Sequence, residues 1–168
     1  MRELFEILLF CQASGAVIGV VCVVWGEIAY LRALQDGRID TAERAHLSVI
    51  AHGLRYGMLL LLIATLCLEI VAYLARSVPQ PAVTARYWIG TLLALLVIGM
   101  TWALSRHQIS FALGSALVFS GWWFLFFFLF GLLPPLTFGA AAAVYVVTTV
   151  LFSWILWYVR FLVIPRTV

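Results

Sequence analysis

The run Met58–Ala75, MLLLLIATLCLEIVAYLA, carries a single charge, Glu69, and has no polar face that a soluble helix could turn to water. A mostly apolar stretch of about 18 residues or more can cross a bilayer, and because hydrocarbon satisfies no backbone polar group, it must do so as a helix. Further apolar runs of similar length occur on either side. The sequence therefore predicts an all-α integral membrane protein, a bundle of five transmembrane helices over about 4–34, 41–75, 86–105, 109–133 and 138–163, forming one membrane domain across 1–168. Composition agrees, at 65% hydrophobic and 10% charged, against about 25% charged in soluble domains.

The opening MRELFEILLF has acids where a secretory signal has bases, and it continues apolar to Trp25 without a cleavage site, so it reads as a retained helix. Within it, Gly15 and Gly19, extended by Cys11 and Val23, form a small-residue groove that lets another backbone approach closely. Cys11, Cys22 and Cys67 lie in apolar runs without metal-ligand spacing and read as small buried hydrophobes. Gly37 is a natural helix stop, and Asp40 with Glu43 resembles a capping box opening helix two. At 1.5 Å per residue that helix would be about 52 Å long, against a hydrocarbon core of about 30 Å. The helix 1–helix 2 hairpin is therefore expected to protrude on the cytoplasmic side, with Ala45, Ile50 and Leu54 available for the contact between its arms. Pro79 and Pro81 break the next loop, and Pro134-Pro135 is expected to end helix four.

Basic residues set the orientation. Arg32, Arg38, Arg44, Arg106, Arg160 and Arg166 fall on one side, and Arg2, Arg76 and Arg86 on the other. The positive-inside rule then places the N-terminus outside and the C-terminus in the cytoplasm, with a bacterial inner (plasma) membrane as the expected location.

The same inventory excludes several activities. No carboxylate side chain follows Glu69, which removes carboxylate metal sites and paired-acid hydrolysis from helices three to five. There is no phosphate-cradling glycine loop and no HExxH, and the arginines are scattered instead of forming a nucleic-acid stripe. The sequence favours a non-enzymatic protein whose partners are the lipid bilayer and a membrane protein or a second copy of itself.

What polarity remains inside the helices is expected in one layer near the cytoplasmic side: Glu27, His52, Arg55, Arg106 and His107. His46, nearer the cytosol and turned about 120° away, is expected to be solvated. The layer has three readings. In the first, Glu27 and Arg55 form a structural pair bracing the hairpin of an accessory or structural subunit. In the second, His52 and His107 are metal ligands, the axial pair of a b-type haem used for electron transfer, with Arg55 and Arg106 on the propionates and Gly114 and Gly121 making room for the ring. In the third, Arg55 binds the anionic group of a small anion or metabolite that the protein carries. The aromatic stripe Phe119, Trp123, Phe126 and Phe130 is expected to face lipid or the small face Gly139–Ala143, with a quinone or carotenoid contact as the alternative.

Overall fold

The computed structural model describes residues 2–35, 39–75 and 84–163. Its helices are α1 (Arg2–Gln35), α2 (Ile39–Gly53), α3 (Leu59–Ala75), α4 (Ala85–Ser105), α5 (Phe111–Leu129) and α6 (Phe138–Val163). A π-helical segment, Leu54–Met58, joins α2 to α3 as one continuous rod. Counting that rod once, five helices are long and apolar enough to cross a membrane, and among the described residues there is no strand. The protein is an all-α five-helix bundle of the integral membrane class. With 34 residues, α1 is about 51 Å long, so it overshoots a hydrocarbon core of about 30 Å.

Close packing of α1 on the α2–α3 rod depends on glycine. A methyl group added to Gly15 would stand 2.7 Å from the Gly57 carbonyl oxygen, and one on Gly57 would stand 2.8 Å from the Gly15 carbonyl oxygen, so the two backbones touch. This is the small-residue groove expected from Gly15 and Gly19. Gly19 lies against the Trp122 indole, and Gly53 against Cys22. The π segment sits at this crossing and turns both Gly57 and Met58 inward.

Helix α5 occupies the centre. Its apolar window is 56% buried against 22–33% for the other four spans, which is why its sequence is apolar on every face. Trp122, Leu125 and Val118 are fully buried there, and Val97 of α4 fills the space beside Gly121. Ser120 and Thr149 share a 2.7 Å hydrogen bond, and the Tyr145 hydroxyl donates to the Leu117 carbonyl at 3.0 Å, tying α5 to α6. Phe119 also meets Phe152 of α6, with ring centroids 5.0 Å apart.

Helix ends correct the sequence expectation in one place. Helix α5 stops at Leu129, short of Pro134-Pro135, because Gly131 takes a left-handed conformation at φ 68°. The Gly131 and Leu132 N–H groups then donate to Phe128 and Phe127, the two bonds of a Schellman stop. The same motif ends α4 at a non-glycine residue. His107 adopts φ 55°, its N–H donates to Leu104 at 3.1 Å, and Gln108 donates to Ala103 at 2.9 Å. The expected Gly37 stop, the Asp40 side chain and the loop bearing Pro79 and Pro81 lie outside the described residues.

Candidate functional site

At the end of the bundle where α1 finishes and α5 begins, polar side chains from four helices meet in the interior. Glu27 is 6% exposed on α1 and receives both of its hydrogen bonds from Nη2 of Arg160 on α6, at 2.8 and 2.9 Å. The same nitrogen donates to Ser115 Oγ on α5 at 2.8 Å. The guanidinium carbon lies 4.8 Å from the Tyr30 ring centroid and 5.3 Å from that of Phe111, and these two rings stack on each other. Charge is therefore balanced and the cation rests on aromatic faces, the arrangement that lets an ion pair persist away from water.

His46 closes the cluster from α2. Its ring meets Tyr30 and Phe111 edge-on and is 1% exposed. Neither ring nitrogen completes a hydrogen bond: Nδ1 lies beside Gly26, and Nε2 stands 3.7 Å from Glu27 Oε1. The expectation that His46 is solvated is corrected here. Ala42, His46 and Ile50 recur every four residues and are 0%, 1% and 1% exposed, so they form the stripe on which α2 lies along α1.

The sequence placed the polar layer at this end, and Glu27 is in it, but its other expected members are elsewhere. Glu27 pairs with Arg160 and not with Arg55, whose side chain is exposed and has no carboxylate partner among the described residues. Arg106 is exposed and lies over the Trp102 ring at 5.4 Å. His52 is exposed and turned back on its own helix, with Nδ1 2.6 Å from the Ser48 carbonyl oxygen. His107 is also exposed, and its backbone serves as the left-handed residue of the α4 stop.

The ring space expected beside Gly114 and Gly121 is occupied by protein side chains. The space beside Gly114 is filled by Leu104 and Ile109, whose methyl carbons would stand 2.7 and 2.9 Å from an added Cβ, and the space beside Gly121 is filled by Val97. The small residues of α5 thus admit neighbouring protein side chains instead of a ring. Among the described residues no group of three or more histidine, cysteine or acidic side chains could hold a metal ion.

The signal for Arg160 was weak because it follows Trp154, Trp157 and Tyr158 near a chain end, where an arginine reads as an interfacial anchor. Its partner is 133 residues away. Chemically the cluster is an ion pair hydrogen-bonded across helices, in which the Arg160 Nε and both His46 ring nitrogens are buried without a hydrogen-bond partner. No known protein family, curated protein or solved structure matches the chain. Fold and site define the class, a multi-pass integral membrane protein with a buried interhelical ion pair.

Proposed function

We propose that the chain is a non-enzymatic accessory subunit of a membrane, in which the polar centre locks helices together and turns over no substrate. One observation carries this reading: Nη2 of Arg160 bonds both Glu27 and Ser115 while the guanidinium lies over Tyr30 and Phe111, so the buried acid and the buried cation already satisfy each other across the bundle. The carrier reading built on Arg55 gains nothing from an exposed side chain at the surface of the rod. A plasma-membrane location with the Glu27 end in the cytoplasm is part of the proposal. It is supported by exposed Arg32, Arg44 and Arg106 at that end, although buried Arg160 no longer counts as a flanking charge.

Proteoliposomes loaded with a pH-sensitive dye test the reading. Under an imposed pH gradient or an anion gradient, vesicles with the protein should leak no faster than empty ones. A protein-dependent flux that Glu27→Gln abolishes would show that the cluster conducts and would end the structural reading. Orientation is checked with Gly37→Cys and Gln80→Cys in intact cells, where only the Gln80→Cys protein should be labelled from outside.

A further inference from the structure

The opposite end of the bundle is not closed. A cavity of about 260 Å³ lies between α1, α3, α4 and α5. Its walls are mostly apolar, from residues such as Leu9, Leu61 and Leu125, and its polar lining residues are Gln12, Thr65, Thr84, Arg86, Tyr87 and Thr91. It exists partly because Gly90 of α4 contributes no side chain there, and an added methyl would meet only the Phe128 ring within 4 Å.

The polar groups are arranged by depth. Arg86 is one residue inside the start of α4 and stands at the exposed mouth. Its Nη2 donates to the Phe128 carbonyl at 3.0 Å and the guanidinium lies over the Phe128 ring, which holds the side chain in place while leaving further N–H groups to offer. Gln12 lies about 10 Å further along α1 than Phe5, another wall residue. Its Nε2 donates to Thr65 Oγ1 at 2.7 Å, and Thr65 in turn donates to the Leu61 carbonyl. One amide N–H of Gln12 remains to offer.

These donors restrict the occupant. Arg86 is donor-only, the lining contains no carboxylate, and the hydroxyl hydrogens of Thr65 and Thr91 are already given to backbone carbonyls. These groups suit a ligand that accepts hydrogen bonds, at the mouth from Arg86 and at depth from Gln12, whose amide oxygen can itself accept. An acyl chain would leave the deep amide facing hydrocarbon, which costs free energy without a compensating bond. The volume exceeds the roughly 150 Å³ that holds benzene yet falls below the roughly 300 Å³ at which drug-sized pockets begin, so it takes one substituted ring.

We propose that this cavity binds a flat, lipid-soluble molecule of the quinone class, with one carbonyl oxygen on Arg86 and the opposite carbonyl oxygen on Gln12. Binding alone is assigned, with no electron transfer. The site is separate from the Glu27–Arg160 cluster and does not depend on its role.

Decylubiquinone is the probe, titrated into the purified full chain in detergent, with tryptophan fluorescence for affinity and native mass spectrometry for stoichiometry. Wild-type protein should bind one molecule saturably. Leu9→Trp and Thr91→Phe fill the cavity from opposite walls, and each should abolish binding without lowering the unfolding temperature. Removing the deep donor with Gln12→Leu should weaken binding about two- to tenfold, and removing the cation with Arg86→Met should weaken it about tenfold or more. Should a filling variant fail to fold, the two polar variants still decide. The proposal is overturned if wild type does not saturate, if the filled variants bind as wild type does, or if Gln12→Leu changes nothing. A bound phosphatidylglycerol that decylubiquinone fails to displace would also overturn it, in favour of a lipid groove.

Discussion

Replacing Arg160 with leucine removes three hydrogen bonds of 2.8–2.9 Å and a cation held over two aromatic rings, and it leaves Glu27 buried with only His46 nearby, at 3.7 Å. Both partners are under 10% exposed, so solvent screens little of the loss. Breaking a buried pair from one side costs about 3–5 kcal/mol, mostly because the remaining charge is stranded. Replacing both partners strands nothing, so Glu27→Leu with Arg160→Leu should return to within about 1–2 kcal/mol of wild type. The coupling energy should then be at least about 2 kcal/mol. Thermal and denaturant unfolding in detergent of wild type, the two single variants and the double variant measures it. Arg55→Leu combined with Glu27→Leu serves as the control and should be additive, since Arg55 has no part in the cluster. If Arg160→Leu loses under about 1 kcal/mol, or if the Glu27 and Arg160 effects simply add, the pair does not hold the bundle.

Further outcomes follow from single contacts. His107→Gly should stabilise the protein by roughly 1 kcal/mol, because it relieves a left-handed conformation at φ 55°; a loss of stability would show that the imidazole has a partner of its own. Gly57→Val should destabilise by about 1–3 kcal/mol, its Cβ meeting the Gly15 carbonyl oxygen at 2.8 Å. Gly99→Ala, with nothing within 4 Å of its Cβ, should gain up to about 1 kcal/mol in the same unfolding assay. His46→Phe loses no completed hydrogen bond and keeps the edge-on ring contacts, so its unfolding temperature should stay near that of wild type.

How much of this was legible in the sequence depends on the range of the signal. Five spans, their bounds to within a few residues and the Gly15 groove follow from local composition, which hydrocarbon enforces without reference to tertiary partners. The rod through Ala75 was also readable, whereas the π segment inside it was not, because it answers to the close approach of Gly15 and Gly57. The polar layer could be placed by depth from Glu27, but its membership depends on which face of each helix turns inward. Ala42, His46 and Ile50 carried that information as a four-residue stripe, and reading it would have buried His46 and left His52 outside. Nothing local distinguishes Arg160 from an interfacial anchor, since its partner is 133 residues away. Arg86 and Gln12 face one cavity for the same kind of reason: four helices have to be assembled before its walls exist.

The span of that ion pair along the chain bears on how the protein is made. Helix α1 brings Glu27 into the membrane before α6, which carries Arg160, has been made. Until α6 has inserted, the acid at Glu27 has no cation to meet, and a chain cut short after α5 keeps that liability. The Gly15–Gly57 crossing needs only the first two spans, so a hairpin can be ready early while completion of the bundle waits on α6. The Glu27–Arg160 pair thus joins the first of the five spans to the fifth, and it can form only once α6 is in place.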